Sequence, residues 1–318
     1  MKLLTICETA ELLLRNDNYI MLTHRRPDGD TIGSAAALCC GLRALGKKAA
    51  VLENPQFTAK FRPYLDELTV SSVPANAFLV SVDVAADTML SYSAIDYVNQ
   101  ISLKLDHHDR SGDFAPLGCV DPSAAACAEI ILALLQEMKA PIGKRTAEAL
   151  YVGLSTDTGC FRFSNVTAAT LRAAAACIDC GADTFAINQV MFLTKRLPRL
   201  QLEAHLTQTT AFYANGTVAV SAIPDALRDE LGLTEDDIDD ISGFGREIAG
   251  VEIAVMLRQE GARGKISVRT SPNYNASEIC ARLGGGGHRA AAGASVDGGI
   301  EAARAAILDA LRAEGVAL

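Results

Sequence analysis

The sequence predicts an α/β protein: a doubly wound, mostly parallel sheet in the N-terminal part, followed by a smaller α/β domain. Three observations carry this expectation. The chain has 318 residues, enough for two hydrophobic cores. With 49% hydrophobic and 21% charged residues, it has the composition of a globular protein able to bury them. Short apolar runs alternate with amphipathic stretches of helical length, the pattern of parallel strands joined by crossover helices.

Taken in order, "NYIMLTH" reads as a strand, and "SAAALCCGLRALGKK" as a helix that Ser34 could N-cap. "KAAVLE", "AFLVSVDVA" and "QISLKLDHH" are the next three strands, and three helical segments begin near residues 123, 144 and 167. Residues 1–190 are therefore expected to form the first domain. The stretch 191–209 is helical, more basic and interrupted by Pro198, which reads as a connector. Residues 210–318 form the second domain: strand "TVAVSAI", an acidic helical stretch, strands "EIAVMLRQ" and "KISVRTS", a glycine-rich run and a closing helix. The acidic run "TEDDIDD" is expected to be a solvated face.

Composition excludes several functions. The net charge of −9 opposes tracking along a long duplex, so an anionic substrate must be held by local cations or metals. With no Trp and 5% aromatic residues, the chain lacks a stacking lane for a long single strand. Glu8 and Glu11 break the N-terminal apolar run, which argues against a signal peptide, and no apolar stretch is long enough to span a bilayer. A cytoplasmic protein without membrane contact is the expectation. The nine cysteines are scattered in apolar surroundings, and the one CxxC, "CIDC", closes an Ala-rich helix, where packing explains it better than redox chemistry or zinc.

The chemistry is concentrated at strand ends. "THRRPDGDTIGS" leaves the first strand with His24, Asp28 and Asp30; "VSVDVA" leaves Asp83; "LKLDHH" leaves Asp106, His107 and His108; "GLSTDTG" places Asp157 where a helical run meets a loop. Asp28 and Asp30 flank Gly29, a spacing that lets a tight loop aim two carboxylates at different ions. In a parallel sheet these strand ends share one edge, the edge where such folds bind ligands. Singly, each is more often a turn or a solvated polar residue. Jointly they are not, because four of the five histidines fall in these motifs or in "GGGGH"; only His205 stands outside. A mixed carboxylate and imidazole set suits Mn²⁺ or a similar divalent ion. "LGGGGHRAAAG" is no P-loop, since no GK[ST] follows, but its backbone can approach an anion closely.

The ordered set HxxPDGDxxGS, a strand ending in Asp, DHH, STDTGxFRFSN and GGGGHxxAAG closely resembles the DHH phosphoesterases that carry a DHHA1 domain, most of all the NrnA-type oligoribonucleases and phosphatases of 3′-phosphoadenosine-5′-phosphate (pAp). The resemblance covers nearly the whole chain. It implies that His24, Asp28 and Asp83 hold one ion and that Asp30, Asp83, His107 and Asp157 hold the other, with Asp83 shared. It also implies that His108 reaches the substrate phosphate while Asp106 orients the histidines. The cofactor implied is a pair of divalent ions, Mn²⁺ first, with Mg²⁺ or Co²⁺ as alternatives. Arg269, Gly285, Gly286, Gly287 and His288 would grip the nucleotide across a cleft between the domains, with Arg162 contributing from the first domain. Arg269, taken alone, reads equally well as an outward-facing strand residue.

The implied activity is hydrolysis of very short single-stranded oligonucleotides to 5′-mononucleotides, and of pAp, with a homodimer among the assemblies allowed. Phosphodiester cleavage of linear or cyclic dinucleotides is the alternative. A family II pyrophosphatase is expected to carry a basic triad in place of GGGGH, and a RecJ-like exonuclease to be longer. A nucleotide-binding regulator that has lost catalysis is the reading from another class, and the filled ligand positions argue against it.

Overall fold

The computed structural model describes residues 1–109, 111–238 and 240–318. They form two compact units, Met1–Thr194 and Lys195–Leu318.

In the first unit the strands are β1 (Lys2–Leu3), β2 (Tyr19–Leu22), β3 (Ala49–Leu52), β4 (Thr69–Val70), β5 (Phe78–Val82), β6 (Ile101–Asp106) and β7 (Leu117–Val120). They make one parallel sheet in the order β1-β7-β6-β5-β2-β3-β4. From β2 the chain winds outward through β3 and β4, then restarts at β5 and winds the other way. The carboxyl ends of β2 and β5 therefore flank the point where strand order reverses, the standard ligand crevice of an open parallel sheet. Alternation along β2 explains why the sheet is buried on both faces. Tyr19 and Met21 pack with Leu38, Val80, Leu105 and Leu135, whereas Ile20 and Leu22 pack with Leu52, Leu79, Leu90 and Ile101.

The helices are α1 (Ile6–Arg15), α2 (Gly29–Ala44), α3 (Arg62–Leu65), α4 (Cys127–Glu137), α5 (Lys144–Asp157), α6 (Ala168–Asp179) and α7 (Thr184–Asn188). Helix α2 begins six residues earlier than the Ser34 cap would require. Asp28 is its N-cap, accepting from the amides of Asp30 at 3.0 Å and Thr31 at 3.1 Å, while Ser34 lies inside the helix. The DGD stretch is thus a helix N-terminus, not a free loop. Helices α2 and α5 approach through glycines. A Cβ on Gly33 would collide with the Ala149 carbonyl, and one on Gly153 would lie 2.7 Å from Asp30 Oδ1. The N-terminus of α1 was not legible as such, although Thr5 and Glu8 form a reciprocal capping box there.

The second unit contains α8 (Leu197–Thr209), β8 (Ala211–Tyr213), β9 (Val218–Ile223), α9 (Asp225–Leu231), α10 (Glu235–Ile238), β10 (Ile253–Glu260), β11 (Arg263–Thr270), α11 (Ala276–Ala281), β12 (Gly286–Gly287), β13 (Ala291–Asp297) and α12 (Gly299–Ala313). Its sheet runs β12-β13-β11-β10-β9-β8, with β9 and β10 parallel and the other pairs antiparallel. Pro198 does not interrupt α8; it sits in the first turn, where its missing N–H has no helical partner to lose. Leu202 and Leu206 of α8 pack against Ile223, Ile238 and Met256. The acidic run is the expected solvated face at Glu235 and Asp240 but not at Asp237. Asp237 is buried, accepts from the Thr234 amide at 2.8 Å and pairs with Arg196, while Asp239 lies outside the described residues. Among the described residues no helix is long and apolar enough to cross a membrane.

Candidate metal centre

The site at the β2/β5 end is assembled by three kinds of local structure. Strand ends deliver His24, Asp83 and His107; the N-terminus of α2 delivers Asp28 and Asp30; the C-terminus of α5 delivers Asp157. Asp83 takes a left-handed backbone, φ 58°, while its amide still donates to the Leu105 carbonyl at 2.8 Å. That conformation is uncommon outside glycine and concentrates at functional sites.

His24 Nε2 lies 3.6 Å from Asp28 Oδ1 and 3.8 Å from Asp83 Oδ2. His107 Nε2 lies 3.8 Å from Asp30 Oδ2, 3.5 Å from Asp83 Oδ1 and 3.4 Å from Asp157 Oδ2. Both rings are oriented from behind by a backbone carbonyl on Nδ1, that of Arg25 at 2.8 Å and that of Ala124 at 3.2 Å. An Nδ1–H donated to a carbonyl leaves Nε2 as the basic, metal-binding nitrogen. His108 is turned the other way, with Nδ1 on Asp106 Oδ1 at 2.7 Å.

Asp30 is held by three further donors. The amides of Cys127, at 2.6 Å, and Ala128, at 3.0 Å, open α4 onto its carboxylate, and Ser34 donates to Oδ1 at 3.0 Å. Asp30 thereby serves as the missing N-cap of α4, which has no cap of its own.

Electrostatics follow from the crowding. Burial, with Asp30, Asp28 and Asp157 nearby, pushes the Asp83 carboxyl well above the usual carboxylate range. Burial and Asp30 push Asp157 up to about 8, against the pull of His107. Asp30 is raised by its burial, against the pull of His107. Asp28 goes the other way, to about 2, because His24 and the amides of Thr31 and Asp30 outweigh its burial. Burial works against protonation of His24 and His107, but their carboxylate neighbours lift both above the ordinary imidazole range.

Three overlapping donor groups could hold ions: His24, Asp28 and Asp83; Asp30, His107 and Asp157; and Asp83, His107 and His108, the candidate atoms within each lying within 4.8 Å of one another. Two features fit divalent cations. Asp83 Oδ1 is buried and accepts no hydrogen bond among the described residues. The carboxylates that repel one another here are also those that a dication would satisfy.

The first unit thus brings together every residue expected at the metals. Arg162 is exposed on the segment after α5, its Nε donating to the Gly159 carbonyl at 2.6 Å. In the second unit Arg269 is half-buried on β11 and donates to the Val268 carbonyl at 3.1 Å, with its pKa lowered by burial and by Arg258. The four-glycine run is only partly an open cradle. A Cβ on Gly285 would lie 2.7 Å from Ala294 Cβ, and one on Gly287, at φ 149°, 2.5 Å from the Ala291 carbonyl, so both are required by the close approach of β13. Gly286 faces open space, and His288 closes the turn, exchanging backbone hydrogen bonds with Ala291. Sequence reasoning missed Lys104 and Ser111, both bonded to Asp106. The available signal was an i, i+2 pair of opposite charges inside the apolar strand "LKLD".

Comparison with known proteins agrees with this geometry. Residues 18–154 match the DHH family N-terminal domain, and residues 215–314 match the DHHA1 domain. The chain is 33% identical to the bifunctional oligoribonuclease and PAP phosphatase NrnA of Thermus thermophilus, over 96% of this chain and 93% of that one. The chain belongs to the DHH family. The Bacillus subtilis NrnA is a more distant DHH relative, 28% identical over 88% of this chain and 90% of its own. An exopolyphosphatase-related protein from Bacteroides fragilis shares the fold, with a TM-score of 0.86 at 22% identity, covering 97% of this chain and 95% of that one.

Proposed function

We propose that this DHH phosphoesterase degrades very short oligonucleotides to 5′-mononucleotides and removes the 3′-phosphate of pAp. The observation that carries the reading is the set of overlapping donor groups meeting at Asp83 and His107, joined to a second unit of the DHHA1 type. His24, Asp28 and Asp83 would hold one divalent ion, and Asp30, Asp83, His107 and Asp157 the other. Mn²⁺ is the ion proposed, because imidazole and carboxylate donors are mixed. Bound ions would supply Lewis-acid activation of water and neutralise charge at the phosphoryl group.

The protein's own groups do the rest. Asp106 holds His108 by Nδ1, and with both ring nitrogens protonated Nε2 would also be a donor, to a phosphoryl oxygen. The backbone carbonyls behind His24 and His107 keep those rings from turning. Arg269, the glycine turn 285–287 and His288 are proposed to recognise the remainder of the nucleotide, and Arg162 an outer phosphate. A short substrate suits this division, since a net charge of −9 gives no attraction for a long polyanion.

The test offers purified protein with Mn²⁺ a 5′-phosphorylated di-adenylate, a longer oligomer, pAp, cyclic di-AMP and pyrophosphate, with Asp83→Ala as control. AMP from the dinucleotide and from pAp, absent in the variant, is the expected result. Consumption of cyclic di-AMP or pyrophosphate alone would sink the substrate assignment, and binding without turnover would favour a regulator.

A further inference from the structure

Lys104 sits in β6 two residues before Asp106, on the same face of the strand, and its side chain is fully buried. Its ammonium lies 3.2 Å from Asp106 Oδ2 and donates to the carbonyls of Ala85 at 3.0 Å and Gly112 at 3.2 Å, with the Phe114 ring 4.4 Å away. A buried charge is costly unless paired and hydrogen-bonded, and here each of the three ammonium hydrogens has an oxygen acceptor. Its aromatic neighbour Phe114 packs against an apolar cluster that includes Ile20, Leu79, Ile101 and Ala115, so the lysine borders an apolar layer.

The carboxylate of Asp106 is divided between two tasks. Oδ2 is held by Lys104 and Ser111. Oδ1 accepts from His108 Nδ1 at 2.7 Å and from the His107 amide at 3.0 Å. Rotating the carboxylate would break the Oδ2 pair, so Lys104 fixes the direction in which Oδ1 meets His108. The Ala85 carbonyl that receives Lys104 also receives the Gly112 amide at 2.7 Å, and Ala85 is two residues from Asp83. One ammonium therefore ties the segments after β5 and β6 to Asp106.

We propose that Lys104 is a positioning residue that clamps Asp106 and thereby fixes the His108 ring toward the substrate phosphate. The kinetic readout rests on the phosphohydrolase reading above; the spectroscopic one does not. Lys104→Met in the full chain lowers kcat on di-adenylate and pAp by roughly 10- to 100-fold, as expected for loss of a group that orients a site residue, and leaves Mn²⁺ binding in place. KM changes by less than about 3-fold. In a His108→Ala background the same substitution adds less than about 3-fold, because the lysine acts through that ring. The Nδ1–H resonance of His108, identified by its loss in His108→Ala, shifts or broadens in Lys104→Met.

Equal losses in both backgrounds, or unchanged kcat with an unmoved resonance, would overturn the proposal. If Lys104→Met does not fold, Ser111→Ala decides the same point: its loss must also vanish in the His108→Ala background, and multiplying losses count against the clamp. If the wild-type chain hydrolyses none of the substrates, the functional reading fails, and the resonance alone decides the role of Lys104.

Discussion

In the first unit the candidate metal centre packs Asp30 and Asp83, both almost inaccessible to solvent, against His24, Asp28, His107 and Asp157, each oriented by a helix end, a strand end or a backbone carbonyl. In the second unit, Gly286, Gly287 and His288 are exposed on a turn whose conformation is set by backbone contacts. The first site keeps its geometry because charges are held where water cannot relax them; the second is held mainly through its backbone, with the Gly285 amide on the Cys280 carbonyl and the Arg289 and Ala290 carbonyls accepting from the Ala276 and Thr270 amides. A pre-organised centre would suit the chemistry proposed for the first site, and an exposed turn the recognition proposed for the second.

The substitution that should separate the two sites most sharply is Asp83→Ala. Loss of a shared donor is expected to lower turnover by about 10³-fold or more, while nucleotide retention on an immobilised-AMP column persists. Retained turnover would break the contrast.

Metal removal is next. Because the folded Asp157 carboxyl sits at about 8 against an ordinary 3.8, the metal-free chain takes up a proton on folding. That stabilisation is full below about pH 4 and is lost as pH rises through 8, and the raised values of Asp83, His24 and His107 act in the same sense. Asp28, depressed to about 2, acts oppositely, but only below the ordinary carboxylate range. Thermal melts of chelator-treated protein should therefore fall in Tm between about pH 4 and pH 8. Saturating Mn²⁺ should flatten the slope, and a metal-free Tm that rises across this window would contradict the crowded-carboxylate account.

Arg269→Ala should raise KM for pAp roughly 10-fold with kcat within about 3-fold, as expected for a contact made equally in ground and transition states. Hydrolysis of a small aryl phosphodiester, which carries no nucleoside, should not change.

The smallest effects distinguish glycines. Gly287→Ala should cost roughly 1–3 kcal/mol in denaturant unfolding, because a Cβ there meets the β13 backbone, while Gly286→Ala should stay within about 0.5 kcal/mol. Equal costs would mean that the turn is built differently.

The same contrast explains what the sequence made legible. The candidate metal centre was readable because polar residues that end apolar runs stand out, and because three such breaks, after β2, β5 and at the end of β6, map to one edge of a parallel sheet, with the end of α5 adding Asp157. The α2 start was misplaced because Asp28 and Asp30 look like loop residues, when the cap and the first helical turn use them. The roles of Gly285 and Gly287 were hidden because a glycine required by a neighbouring strand has the same letter as one facing an anion. Lys104 was hidden because a lone charge in a strand reads as solvent-facing; only the surrounding oxygens show that it is buried. Asp237 escaped for the converse reason, sitting in an acidic run in which Glu235 and Asp240 are exposed.

The shared Asp83 is the centre of the account, and electron paramagnetic resonance of the chain loaded with Mn²⁺ tests it most directly. Two equivalents per chain should give the spectrum of an exchange-coupled pair, replaced in Asp83→Ala by isolated-ion signals or none. Uncoupled Mn²⁺ in the wild-type protein, or a coupled pair that survives the substitution, would contradict it.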